Sequence, residues 1–115
     1  MLKQKLKDYR LILASGSPRR HQFFKDMELD FEVQIKSIDE VYPSELQGAE
    51  ISDYLAKLKA SAFKDELQSE DILITSDTVV WHKNESLAKA ANDTEAKEML
   101  SKLSGDWHQV ISSVC

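Results

Sequence analysis

Four apolar residues, Leu11-Ile12-Leu13-Ala14, run straight into Ser15-Gly16-Ser17-Pro18-Arg19-Arg20, and this junction constrains the fold more than any other stretch of the chain. A short apolar run between a charged leader and a turn predicts a buried strand. The residues after the turn predict a helix. Ser17 suits the N-cap, and Pro18 suits the first helical position, where a missing N–H costs nothing. Phe23, Phe24 and Met27 give that helix an apolar inner face.

The pattern continues along the chain. Phe31 to Ile35 alternates and predicts a strand buried on one side. Lys36 to Gly48, with Asp39, Glu40 and Pro43, predicts a loop. From Ala49 to about Leu67 the period is helical, with Ile51, Leu55, Leu58 and Ala62 on one face and Tyr54 beside them. Ile72-Leu73-Ile74 predicts a second buried strand, ending in Thr75-Ser76-Asp77-Thr78, and Val79-Val80-Trp81 continues extended. Lys83-Asn84-Glu85 predicts a turn. Asn92 and Glu95 form a possible capping box for a helix through Ala96, Met99, Leu100 and Leu103, stopped by Gly105. Trp107 to Cys115 is β-rich, and both Trp81 and Trp107 are expected in the core or on a sheet face.

The order β-α-β-α-β-β-α-β predicts an α/β fold: a mixed, mostly parallel sheet with flanking helices. A length of 115 residues fits one domain over 1–115, with no repeat and no linker. Val110 to Cys115 reads as a strand with no turn, cap or charged tail after it. The expectation is a domain incomplete at its C-terminus; a natural edge strand is the alternative. An open edge there predicts self-association, as a homodimer or a looser pairing.

Composition excludes several classes. The net charge of −5 disfavours a general nucleic-acid coat, so no stable nucleic-acid complex is expected, while a small basic pocket remains compatible. The single cysteine, Cys115, excludes an intrachain disulfide and a cysteine-built zinc site. His21, His82 and His108 make no H-x-x-x-H spacing, and neither a Walker A sequence nor a Gly-x-Ser-x-Gly elbow occurs. The charged start lacks the apolar stretch of a signal peptide, and no run approaches the roughly 18 apolar residues of a membrane span. A soluble, cytoplasmic protein without membrane contact is expected.

Three places carry candidate chemistry. At the strand–helix junction a helix N-terminus offers free N–H groups, Ser15 and Ser17 add hydroxyls, and Gly16 permits close backbone approach. Arg19 and Arg20 oppose the helix dipole, a penalty that a bound polyanion reverses. The alternative is an ordinary turn with solvated arginines. Lys59 falls between Leu55 and Phe63, inside an apolar sector, and needs either an anion or a path along the helix side to water. Asp77 follows the apolar run 72–74, at the carboxyl end of an expected parallel strand, where ligands of α/β sheets gather. It suits Mg²⁺ binding or general-base work, and equally a turn aspartate bonded to Thr78 and local backbone. Asp39 and Glu40 form an acidic pair that is either solvated or a source of a hard-metal ligand, and His108-Gln109 is a further place where a ligand could touch.

These pieces, in this order, resemble the Maf family of nucleoside triphosphate pyrophosphatases. The matching stretches are Leu13 to Arg20, Phe31-Glu32-Val33, Ile38-Asp39-Glu40, Tyr54 to Ala60, Thr75 to Val80, Leu87-Ala88-Lys89, Leu103-Ser104-Gly105 and His108-Gln109-Val110. The resemblance covers the chain from about Leu11 onward, and its first motif is the most specific. It implies hydrolysis of a nucleoside triphosphate between its α and β phosphates, with Mg²⁺ or Mn²⁺, releasing a monophosphate and pyrophosphate. The Ser-Pro-Arg-Arg form is similar to the branch acting on dTTP and UTP. By position the resemblance implies that Ser15, Arg19, Arg20, Lys59 and Lys89 hold phosphates, that Glu40 helps place metal or substrate, and that Asp77 activates water and shares the metal. The chain departs from the family at Ala88-Lys89-Ala90, where Gly-Lys-Pro is usual, and family members are longer at the C-terminus, so little activity is expected from these residues alone. A non-catalytic nucleotide-binding regulator of septum formation is the alternative that the family name implies.

Overall fold

In the computed structural model, which describes residues 1–115, the apolar run of the junction is the middle strand of a sheet. Strand β1 (Arg10–Leu13) lies between β2 (Glu32–Val33) and β3 (Asp71–Ile74), parallel to both. A parallel strand with a neighbour on each side reads as continuously apolar, and Leu11, Ile12 and Leu13 are all buried. Helix α1 (Leu2–Lys5), which the sequence pattern did not indicate, precedes β1, and α2 (Pro18–Asp26) follows it. Ser17 caps α2 by accepting the Arg20 N–H, with Pro18 at the first helical position.

Strand β2 is shorter than the alternation of residues 31–35 predicts. Its ladder covers only Ile12↔Glu32 and Leu13↔Val33, with one further bond from Gln34 N–H to Leu13 O, because β1 has by then turned into α2. Helix α3 (Ala49–Ser61) likewise ends before Leu67. The amides of Ala62, Phe63 and Lys64 bond three residues back, so the chain tightens into turns. Phe63 remains buried all the same.

The run 72–81 is not one strand. Strand β3 stops at Ile74, and β4 (Ser76–His82) belongs to a second sheet. Thr75 is the crossing point. Its backbone exchanges two hydrogen bonds of 2.9 Å with Cys115, and its buried hydroxyl donates to Ala56 O of α3 at 2.7 Å. The first sheet loses its pairing partner as β1 ends, and β6 (Gln109–Val114) takes over on the other side. A short strand absent from the sequence reading, β5 (Glu85–Leu87), pairs with β4 through a hairpin whose two turn residues, Lys83 and Asn84, have φ of 48° and 64°. Two positive φ values match the twist of a two-residue hairpin turn. The second sheet, β5-β4-β6, is antiparallel throughout. The mixed α/β fold with a parallel sheet and helices is therefore present, with its parallel and antiparallel pairings in separate sheets.

Helix α4 (Asp93–Leu103) starts at Asn92, whose side chain accepts the Glu95 N–H at 2.9 Å, and Glu95 reaches back to Ala91 N–H. Gly105 follows at φ 71°, a conformation that favours glycine. Helix α3 packs on the antiparallel sheet. Ile51 and Leu55 meet Val79, flanked by Leu58, Trp81 and Ile111, and Ser52 bonds Ser113 at 2.6 Å.

Only 16 of 115 residues are buried, and the Cα radius of gyration is 16.4 Å, against roughly 13 Å for a compact chain of this length. Two expectations fail here. Phe23 and Met27 of α2 are 63% and 47% exposed, and only Phe24 finds a partner, Phe31, edge to face at 5.2 Å. Trp107 is 91% exposed rather than seated on a sheet. An apolar stripe is buried only where another element covers it, and none packs over Phe23, Met27 or Trp107.

The rims are tied by charge. Arg10 grips Asp71 with two bonds of 3.0 Å across β1 and β3. The Gln68 N–H and the Arg10 guanidinium hold the Asp71 carboxyl below the usual carboxylate range, and Asp71 in turn raises Arg10. At the far end of β4, the buried His82 bonds Asp106 at 2.9 Å. That bond and the Trp107 N–H lower the Asp106 carboxyl in the same way.

Candidate active site

Beside the junction lies a cleft of about 610 Å³, lined by the whole turn Ala14 to Arg20, by residues 35–38 and Glu40 of the following loop, by Lys59 and Phe63, and by Lys89. Every phosphate-binding candidate taken from the sequence reaches this cleft: Ser15, Ser17, Arg19, Arg20, Lys59 and Lys89. Its basic side chains are Arg19, Arg20, Lys36, Lys59 and Lys89, against the single carboxylate of Glu40. In a chain of net charge −5, such a concentration of cations is suited to a polyanion.

The turn is built by its own hydroxyls. Ser15 Oγ accepts the Ser17 N–H at 3.1 Å and Arg20 Nη1 at 3.4 Å. Ser15 O meets Nε2 of His21, six residues on in α2. Arg20 does not project into solvent against the helix dipole. It crosses to β4, donating to Ser76 O at 3.2 Å and Thr78 Oγ1 at 3.1 Å. Three oxygens thus offset its unfavourable place at a helix start, and the side chain fastens the turn to the second sheet. Arg19 is exposed at the rim. A Cβ at Gly16 would meet only Ile35 Cδ1, at 3.4 Å.

Lys59 sits in the last turn of α3 between the buried Leu55 and Phe63, as the helical period requires. It takes the anion route rather than the route along the helix to water. Nζ lies 3.0 Å from Asp77 Oδ1, 3.1 Å from Ser76 O and 3.3 Å from Glu40 Oε1, and the side chain is 20% exposed. Asp77 is buried and is not a turn aspartate. It stands just past the end of parallel β3, as the second residue of antiparallel β4, opposite Ser113, and accepts from Lys59 rather than from Thr78. It lies under Lys59, at the back of the cleft rather than on its lining. Glu40 comes in from the long loop, half exposed, while Asp39 does not join it on Lys59.

The two carboxylates read as hard-metal candidates therefore converge on one cationic nitrogen. No third His, Cys, Asp or Glu joins them to complete a protein-only cage. Mg²⁺ and Mn²⁺ bind through as few as one or two protein carboxylates when substrate phosphate and water complete the shell, which is the number present at this cleft.

Ile35, Lys36 and Ser37 also line the cleft and were not singled out as site residues by the sequence reading. Lys36 donates to Ala62 O, pairs with Glu66 and lies over the Phe63 ring at 5.0 Å. Ile35 comes closest to Gly16. No local motif marks either, because their partners are distant in sequence. His108 and Gln109 are exposed and lie outside the cleft lining.

The family model of the Maf-like proteins matches residues 10–115. The chain belongs to that family. It is 56% identical, over all of its 115 residues, to the dTTP/UTP pyrophosphatase of Flavobacterium johnsoniae, of which it covers 59%. It is similar to the proteins of the same name from Flavobacterium psychrophilum (55% identical, 100% of this chain, 59% of the relative) and Christiangramia forsetii (45%, with the same coverage). The chain thus spans about three fifths of the length of these curated relatives.

Proposed function

We propose that this chain forms the nucleotide-binding part of a nucleoside triphosphate pyrophosphatase acting on dTTP- and UTP-type substrates. The observation that carries this reading is the convergence, on one cleft, of the Ser15–Arg20 turn, Lys59 and Lys89, with Glu40 and Asp77 meeting on Lys59. The names of the relatives support the substrate class and lend no support to a regulatory role.

A triphosphate carries several negative charges that repel an attacking water. The N-terminus of α2, Arg19 and Lys89 bind and neutralise them, with Ser15 and Ser17 shaping the turn and Arg20 holding it against β4. Asp77 and Glu40 would hold the divalent metal, which supplies further charge neutralisation and a more acidic water when bound. Asp77 accepts the proton of the attacking water. The water oxygen joins the α-phosphorus as the bond to the bridging oxygen breaks, and pyrophosphate leaves with that oxygen.

Phosphate and pyrophosphate assays over a panel of nucleoside triphosphates with Mg²⁺, run on this chain beside the Flavobacterium johnsoniae relative, test the reading. Monophosphate and pyrophosphate from dTTP and UTP, ahead of ATP and GTP, are expected from the relative, and binding of the same nucleotides with little turnover from this chain. Absence of both binding and turnover in this chain, beside an active relative, overturns it.

One nucleotide-binding domain in the cytoplasm is part of the same reading, as is self-association. No helix is long and apolar enough to cross a membrane. Strand β6 pairs only with β4, and Val110 and Val114 along it are exposed, an arrangement that invites pairing with a second copy. Sedimentation velocity over a hundredfold concentration range should show a shift to larger species; a constant monomer would refute it.

A further inference from the structure

The position of Lys59 carries an inference that rests on the reading of the cleft as a triphosphate site and goes beyond it. An ammonium has three N–H donors and no acceptor. In Lys59 two of them serve Ser76 O and Asp77 Oδ1, at 3.1 and 3.0 Å, and Glu40 Oε1 lies 3.3 Å from the same nitrogen. The three oxygens fill its shell. Glu40 and Asp77 are the only carboxylates available at the cleft for a divalent cation, and Nζ stands between them.

We propose that Lys59 and the divalent metal are alternative occupants of the space between Glu40 and Asp77, so that Lys59 acts as a resident cation that must be drawn off before the metal is held. A dication cannot share both carboxylates with an ammonium at this spacing, since the two cations would stand within a few ångströms of each other with little screening. A bound phosphate chain can draw Lys59 away. Its side chain lines the cleft beside Arg19 and Lys89, so a phosphate chain lying there competes with Asp77 and Glu40 for the same ammonium. Phosphate binding and metal binding are then coupled through one side chain, and each strengthens the other. The consequence is order: metal is retained together with the nucleotide, and the paired carboxylates do not collect stray cations.

The experiment needs no turnover and no nucleotide. Mn²⁺ is titrated into the wild-type chain, Lys59→Met, Lys59→Gln and the double variant Lys59→Met/Asp77→Asn, and the electron paramagnetic resonance signal of free Mn²⁺ reports binding. Thermal melts show that each variant is folded; should the methionine variant fail to fold, the glutamine variant, which keeps hydrogen-bonding capacity, decides. Removing the lysine charge should tighten Mn²⁺ binding at least about tenfold, and adding Asp77→Asn should reverse the gain. Unchanged or weaker Mn²⁺ binding in the folded Lys59 variants overturns the proposal, as does a gain that survives Asp77→Asn. The outcome is independent of the pyrophosphate assay. A chain that hydrolyses dTTP while its Lys59 variants gain no metal affinity refutes the exchange alone. A chain whose Lys59 variants gain affinity without any hydrolysis or nucleotide binding refutes the pyrophosphatase reading alone.

Discussion

In a protein of the relatives' full length, Asp77→Asn should lower pyrophosphate release by at least about a hundredfold, the lower end of what a positioned general base contributes, while nucleotide affinity measured without metal changes little. Asparagine nearly reproduces the shape of aspartate and can still accept from Lys59 Nζ, which the wild-type carboxylate does at 3.0 Å. It cannot take a proton from water, and it is a poor ligand for a hard dication. The loss should therefore fall on kcat, not on KM. Asp77 is buried at the start of β4, opposite Ser113, so a melt must accompany the kinetics to separate lost chemistry from lost fold. Wild-type turnover in a folded Asp77→Asn chain would remove this residue from the mechanism.

Replacing both Arg19 and Arg20 by alanine should weaken triphosphate binding at least about a hundredfold, as charge-assisted hydrogen bonds contribute roughly 1.5–3 kcal/mol each. The two single variants should differ in kind. Arg19 is exposed at the rim, so Arg19→Ala should cost affinity and leave the melting temperature unchanged. Arg20 spans from the turn to Ser76 O and Thr78 Oγ1. Arg20→Ala should cost affinity and also lower the melting temperature by several degrees, since about 1 kcal/mol corresponds to roughly 4–8 °C in a domain this small. Isothermal titration with a non-hydrolysable triphosphate, together with melts, separates the two. Undiminished affinity in the double variant would remove the junction as the phosphate site.

How these residues meet explains why part of the site could be read in advance and part could not. The junction was legible because every signal in it is local. Ser17 caps its own helix, Pro18 fits its own first turn, and the arginines sit one and two residues further on. Lys59 was legible as an anomaly, since a charge at an apolar position of a helix needs an explanation, but the nature of its partner was not. Asp77 is 18 residues away and Glu40 lies in a loop without period. Arg20 was read as a ligand-facing charge alone; its second role depends on β4, 56 residues on.

Local chemistry in the sequence thus determined the α/β class, the strand–turn–helix junction with its cap, the loop that carries Glu40 and the helix that carries Lys59. Tertiary structure alone decided the rest. It broke the apolar run at Thr75, because β1 ends there as a pairing partner and β6 begins. It separated parallel from antiparallel pairing, left Phe23, Met27 and Trp107 in solvent, and brought Glu40, Lys59 and Asp77 to one point. The reason is physical: caps, turns and periodicity are settled within a few residues, whereas which backbone edge pairs with which, and which side chain neutralises a buried charge, is settled by contacts between residues far apart along the chain.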